Sequence, residues 1–251
     1  MRMQAAYHSD LAYIHDVGFG HLASSGATVV IDALNHSGIH DGTVVDLGCG
    51  SGITASLLCD AGFGAIGIDL SEALIEIARK RAPKAIFHID SFVTAHIPRC
   101  VAVTAIGEVF NYALDKANNS IARAAMLGRI YAALCPGGLL LFDMAGPSRA
   151  PSRNPQRTYA EGSDWAVLIQ TETDDAKRIL TRRITTFREK GELYRRDCET
   201  HQLQLVDPFE IVRSLQSIGF SVQILDCYGV QSLPQGLYGF LARKPGDIDS
   251  R

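Results

Sequence analysis

The chain has 251 residues, 47% of them hydrophobic and 20% charged, enough for one large α/β domain, or a domain with a small appendage, around a sizeable core. A net charge of -3 gives no global attraction to nucleic acid or anionic membranes, and no apolar stretch is long enough for a spanning helix. Six cysteines, none of them in a CxxC pair, disfavour a zinc ribbon or a thioredoxin-like site, so no metal centre is expected and the cytoplasm is the expected compartment.

The opening MRMQAAYHSD lacks the apolar run of a signal peptide. Residues 5–37 alternate apolar and polar positions at helical spacing, with a break near Gly18 and Gly20, which predicts two N-terminal helices. Strand and helix then alternate. GTVVDLG reads as a strand, ITASLLCDAG as a helix closed by glycine, AIGIDL as a strand, and SEALIEIARKRA as a helix capped by Ser71. AIFHID and VAVTAIG are strands three and four, residues 118–134 a helix, and PGG turns the chain into a fifth strand, LLLFDM. Alternation of this kind makes a parallel sheet covered by helices on both faces.

Residues 147–164 are rich in Pro, Ser and Arg and read as a linker. WAVLIQTETD, RILTRRITTFRE and ELYRRDCETHQLQLV follow as three strands with no helix between them, the last two joined by an EKGE turn, and predict an antiparallel insertion. DPFEIVRSLQSIGF is a helix with Asp207 as cap, SVQILDCY and LYGFLARK are the last strands, and PGDIDSR reads as a frayed end. The predicted units are 1–40 (N-terminal helices over the site), 41–150 (Rossmann-like core), 164–206 (β lid) and 207–245 (end of the core).

The loop between the first strand and helix spaces its residues Asp46-x-Gly48-x-Gly50-x-Gly52. A dinucleotide fingerprint GxGxxG would need a third glycine where Ile53 stands, which argues against NAD. A sulfonium amino acid joined to adenosine has no pyrophosphate to cradle; it needs a close backbone approach and an acid, and fits better. Asp69 ends the second strand, where a carboxylate accepts from ribose hydroxyls, and Asp90-Ser91 ends the third, where an adenine edge would be read. The acids at 46, 69 and 90 fall together at the carboxyl edge of a parallel sheet.

VVDLGCGSG, GIDLS, HIDS and LCPGGLLLFDM, in that order, resemble the class I S-adenosylmethionine-dependent methyltransferases over residues 40–145, and the closing helix and two strands match the end of that fold. With segments such as LAYIHDVGFGHLA and AVTAIGEVFNY, the whole chain is similar to bacterial small-molecule methyltransferases, and the β insertion followed by FLARKP is similar to sugar-amine N-methyltransferases. The resemblance implies a doubly wound, seven-stranded, mainly parallel α/β sheet, its last strand antiparallel, with an inserted antiparallel β lid. It implies S-adenosyl-L-methionine as cofactor, held by Asp46, Gly48, Gly50 and Gly52 at the methionine part, Asp69 with Leu70 at the ribose, Asp90 with Ser91 at the adenine, and Ile106 and Tyr13 nearby. The implied reaction is methyl transfer to a nitrogen or oxygen of a small-molecule acceptor.

Alternatives stay open: a binding-only sensor or partner subunit, or a methyltransferase of RNA or protein. Two departures are visible. Cys100-Val101 stands where many relatives have an acid, and GEVFNY at 107–112 replaces the Asn/Asp-Pro-Pro-aromatic motif of nucleic-acid base methylation.

Methyl transfer needs alignment first and a base only for some acceptors. Glu108, after the fourth strand, faces cofactor or acceptor, where it orients an amine or takes a proton, or else is an exposed loop acid or caps the following turn. Tyr112 lines a pocket or packs in the core. His201 serves as a base if the insertion closes over the site, although an exposed strand histidine is the preferred reading. Tyr7, Tyr13, His15 and Phe19 either close over the cofactor or pack against neighbours. The insertion's arginines 178, 182, 183, 188, 195 and 196 recognise an anion or, the preferred reading, form a solvated face paired with Glu189, Glu192, Asp197 and Glu199. The same sheet offers a surface for a homodimer.

Overall fold

The computed structural model describes residues 7–113 and 118–246. Most of the N-terminal stretch read as lacking a signal peptide (1–6) and most of the tail read as frayed (247–251) lie outside the described residues. Two helices, α1 (Ser9–Gly18) and α2 (His21–His36), precede an alternating series: β1 (Thr43–Leu47), α3 (Ile53–Asp60), β2 (Gly64–Asp69), α4 (Glu72–Arg81), β3 (Ile86–Ile89), β4 (Cys100–Ala105), α5 (Ser120–Ala133) and β5 (Leu134–Ala145). Local chemistry starts the helices as expected: the Ser71 hydroxyl accepts from Leu74 N–H at 3.2 Å, satisfying one of the donors a helix start leaves unpaired.

Four strands come next, β6 (Gln156–Glu161), β7 (Trp165–Asp174), β8 (Ile179–Lys190) and β9 (Leu193–Gln204). The chain closes with α6 (Pro208–Ile218), β10 (Ser221–Leu225), a small hairpin of β11 (Cys227–Tyr228) and β12 (Gln231–Ser232), and β13 (Leu237–Arg243). Asp207 caps α6 by accepting from Phe209 N–H at 2.8 Å, and Gly219, at φ 115°, ends it in a left-handed conformation.

The main sheet has seven strands in the order β10-β13-β5-β4-β1-β2-β3. β1 to β5 pair in parallel, and β13 runs antiparallel to both β5 and β10. The chain steps outward from β1 to β3 and then returns to lay β4 on the other side of β1. That reversal opens a crevice beyond the carboxyl ends of β1 and β4, the place where α/β sheets bind ligands. Both faces of the sheet are covered. α2, α3 and α4 pack on one side around Leu34, Leu58 and Ile75, while α5 and α6 pack on the other around Met126, Ile130 and Leu215.

The inserted strands form a separate antiparallel meander, β6-β7-β8-β9. It has four strands where three were expected, because Gln156–Glu161, within the stretch read as a linker, pairs along β7. All but one residue of β6 is exposed, so no apolar alternation marks it as a strand. Asn111 staples this sheet to the core: its amide donates to the carbonyls of Ala145 (3.0 Å) and Gln204 (2.6 Å), and its oxygen accepts from Ala145 N–H (2.8 Å). The run SVQILDCY is also divided, its last two residues turning away into the β11–β12 hairpin. Among the described residues no single helix is long and apolar enough to cross a membrane; α1 and α2 pass that test only as a pair bent by 59°.

Candidate functional site

A cavity of about 570 Å³ lies over the carboxyl edge of the main sheet, walled by the N-terminal helices on one side and the inserted sheet on another. Gly48 and Gly50 line it, with Asp69 at the end of β2 and Leu70 just after it, Asp90 after β3, and Ile106 and Glu108 after β4. The Asp69 carboxylate is held in place by the backbone, Oδ2 accepting from Gly50 N–H at 2.9 Å and Oδ1 from Ser71 N–H at 2.8 Å. Burial pushes the Asp69 carboxyl above its usual range, against the pull of those donors.

The glycines of the loop do different work. Gly50, at φ 53°, has no atom of the described residues within 4 Å of where a Cβ would stand, so the backbone itself forms an open cradle on the cavity wall. A Cβ on Gly52 would lie 2.9 Å from Ala78 Cβ, so that glycine serves the packing of the loop on α4 and does not line the cavity.

Asp46 does not line it either. It is buried beneath the loop, where Thr104 Oγ1 donates to Oδ1 at 2.6 Å and Oδ2 has no hydrogen-bond partner among the described residues. Burial raises its carboxyl to about 7. Ser91 is likewise off the cavity, its hydroxyl accepting from Val93 N–H at 3.0 Å. Tyr13 points elsewhere: Arg188 sits 3.6 Å over its ring, and its hydroxyl reaches Asp164 at 3.3 Å. From that N-terminal segment Tyr7, His15 and Phe19 line the cavity instead. Burial lowers His15 to about 4, which keeps it neutral at physiological pH.

Glu108 is buried and lies between two arginines. Arg182, from β8, forms a bidentate pair with it at 2.5 and 3.0 Å, and Arg149, in a short 3-10 turn after β5, donates at 2.9 Å. Burial alone would raise this carboxyl, but the two guanidinium groups hold it at about 2. A carboxylate so firmly ionised is a poor proton acceptor, which removes the reading of Glu108 as a base. Its backbone N–H and that of Gly107 donate to the buried Asp143 carboxylate at the end of β5. Arg149 is a site residue the sequence reading missed, since it lies in the supposed linker. Arg182 was grouped with the solvated arginines, yet strand alternation puts it on the inward face between Leu180 and Ile184.

For Arg183 and Arg195 the solvated reading is closer, although their partners differ from those expected, whereas Arg188 is largely buried over the Tyr13 ring. Arg183 pairs with Glu172, Arg188 with Asp164 and Arg195 with Asp10. His201 is a correction in the other direction: it is 1% exposed, lines the cavity, and is no exposed strand residue. Its Nε2 bonds Glu199 Oε2 at 3.0 Å, and its ring centroid stands 4.9 Å from that of Tyr7 and 5.8 Å from that of Tyr112. The hydroxyls of Tyr7 and Tyr112 bond each other at 2.8 Å. The cavity thus has a wall of strand-end acids and open backbone, and a second wall of imidazole, phenols and guanidinium.

Comparison with known proteins gives a consistent picture. Residues 44–138 match the family model described as a methyltransferase domain. A trans-aconitate 2-methyltransferase of Paracidovorax citrulli (strain AAC00-1) is 33% identical over 162 residues, covering 62% of this chain and 55% of that protein. With 47% of the corresponding Variovorax paradoxus (strain S110) protein covered, the chain spans about half the length of these curated relatives. A solved S-adenosylmethionine-dependent methyltransferase from Clostridium acetobutylicum ATCC 824 superposes with a TM-score of 0.79 at 17% identity, over 94% of this chain and 98% of that one. CalS10, an amino pentose methyltransferase from Micromonospora echinaspora, superposes with a TM-score of 0.74 at 16% identity, over 97% and 100%. At such identities the structural likeness concerns the fold.

Proposed function

We propose, from the match to the methyltransferase-domain model over residues 44–138 and a likeness in fold along nearly the whole chain, that this protein is a class I S-adenosylmethionine-dependent methyltransferase, which transfers a methyl group from S-adenosyl-L-methionine to a nitrogen or oxygen of a small-molecule acceptor. The observation that carries this reading is the two-walled cavity: Gly48, Gly50, Asp69 and Asp90 on the sheet edge, and His201, Tyr112 and Arg182 opposite them.

On this reading Asp69 accepts from the ribose hydroxyls, its oxygens already aimed by Gly50 and Ser71. Gly48 and Gly50 give the methionine part a close approach to backbone, and Asp90 stands at the adenine. Asp46 acts from beneath, tying the end of β1 to β4 through Thr104. Held there, the cofactor would supply an electrophilic methyl carbon on a sulfonium, with sulfur keeping the electron pair of the C–S bond.

The chain's own share is alignment and exclusion of water. The inserted sheet and α1 enclose the acceptor, and effective molarity does much of the work. His201 takes the proton released by an N–H or O–H acceptor as the new bond to the methyl carbon forms. Arg149 and Arg182 favour an acceptor bearing an anionic group, because two guanidinium groups share the single Glu108 carboxylate. Small-molecule acceptors figure in the names of relatives, trans-aconitate in one and an amino pentose in another. The polar second wall favours turnover over a binding-only role.

Calorimetric titration with S-adenosylmethionine, S-adenosylhomocysteine and NAD tests the reading. Both adenosyl ligands are expected to bind and NAD is not. Asp69→Ala is expected to weaken them roughly 10- to 100-fold, the worth of a hydrogen bond to a charged group, about 1.5–3 kcal/mol. Binding of NAD alone, or equal affinity in the variant, would overturn it.

A further inference from the structure

Glu199 on β9 joins two parts of the molecule that are remote in sequence. Its side chain is only 6% exposed, and it accepts three hydrogen bonds. Oε2 takes both His201 Nε2 at 3.0 Å and the backbone N–H of Tyr7 at 2.7 Å, and Oε1 takes the backbone N–H of His8 at 2.8 Å. Residues 7 and 8 lead directly into α1. One carboxylate oxygen therefore serves both the imidazole in the cavity and the segment that closes over it.

The same segment is fastened elsewhere to both bodies it bridges. On the core side the Ser71 hydroxyl donates to Tyr7 O at 3.0 Å, and Arg81 pairs with Asp16 at 2.6 Å. On the side of the inserted sheet, Arg195 pairs with Asp10 and His8 Nδ1 meets Asp197 at 2.9 Å. Inside the cavity the Tyr7 ring lies against His201. Any path that takes α1 off the cavity removes two of the three donors from Glu199 and the aromatic wall from His201. A nearly buried carboxylate left short of donors is costly, so it moves toward water and away from His201.

We propose that Glu199 is a positioning residue that couples the seating of residues 7–18 to the orientation of His201. With the segment seated, Glu199 is held from both sides and accepts from Nε2–H. This fixes the ring and leaves the lone pair on Nδ1, the form in which an imidazole takes a proton. With the segment displaced, Glu199 loses its anchoring donors and His201 loses its tautomer bias. The acceptor-side base is thus assembled only when the cavity is closed. This rests on the reading of His201 as that base, but the coupling is measurable without any turnover.

The test uses the full chain with ¹⁵N-labelled histidine. Long-range ¹H–¹⁵N spectra report the His201 tautomer, and hydrogen exchange reports protection of residues 7–18. In the wild type the neutral His201 is expected as the Nε2–H form. Glu199→Ala is expected to raise exchange at residues 7–18 by at least about tenfold, the loss of one charge-assisted hydrogen bond or more, and to mix the tautomers. Arg195→Gln loosens α1 from the inserted sheet without touching Glu199. It is expected to move both readouts the same way by a smaller amount, and it keeps the test alive if Glu199→Ala does not fold. An Nδ1–H tautomer in the wild type would overturn the proposal. So would exchange rising in Arg195→Gln with the His201 spectrum unchanged. Neither result depends on cofactor binding, so calorimetric failure of the methyltransferase reading stays distinguishable.

Discussion

Glu108 concentrates several of the site's constraints in one residue. Its backbone is left-handed at φ 63°, its N–H donates to Asp143, and its carboxylate holds one arginine from the core and one from the inserted sheet. Its folded value of about 2 lies below the ordinary 4.5, so its contribution to stability is complete above pH 4.5 and lost as pH falls toward 2. Glu108→Gln keeps the shape and removes the charge, leaving Arg149 and Arg182 without their shared counter-ion. The expected cost, by urea unfolding at pH 7, is toward the lower end of the roughly 3–5 kcal/mol seen when one partner of a buried pair is removed, since neither arginine is fully buried. The difference between the two proteins should shrink below pH 4.5 and vanish near pH 2. At this scale the cavity-lining residues Gly48, Gly50, Asp69 and Asp90 were legible, because they sit at the ends of strands whose apolar runs are plain. Arg182 and His201 were in view but were weighed as members of a charged hairpin. Period-two counting from Leu180 and Leu203 places both on the inward face.

At the scale of elements, Asn111 is one of the groups that tie the inserted sheet to the core. Asn111→Ala removes three hydrogen bonds and leaves the Ala145 N–H and the Gln204 carbonyl in need of partners, while the Ala145 carbonyl keeps the Val206 N–H. A loss of about 1–3 kcal/mol for each group left fully unsatisfied sets the scale, and denaturation curves should show a lower midpoint with little change in slope. Hydrogen exchange should rise most in β9, next to the lost Gln204 contact. The core elements were readable from alternation and caps, down to the Ser71 and Asp207 starts. The fourth inserted strand was not, because β6 buries almost nothing and pairs on one side only, so pairing rather than patterning makes it a strand. Arg149 was hidden for a related reason: a Pro- and Ser-rich stretch carries no periodic signal, although its first residues turn back onto the site.

For the whole molecule, three bodies close on one cavity: the main sheet, the inserted sheet, and the N-terminal helices. Ligand bound among them should act as a clamp. S-adenosylhomocysteine at 100 times its dissociation constant should add about 2.7 kcal/mol, and at about 2–4 °C per kcal/mol for a chain of this size the melting temperature should rise by roughly 5–11 °C. No shift at saturating ligand would contradict a cofactor site in this cavity. The wide sequence spacing of these bodies has a further consequence, for biosynthesis. Tyr7 and its partner Glu199 are 192 residues apart. At about 5–20 residues per second of translation, the N-terminal segment emerges from the ribosome roughly 10–40 s before the strand that receives it. Leu11 and Ile14, which end against Val167 and Ile184, have no final neighbours on that side for most of this interval. The nascent chain must therefore shelter an apolar helix face, on the emerging core or on a chaperone, until its last strands arrive to seal it.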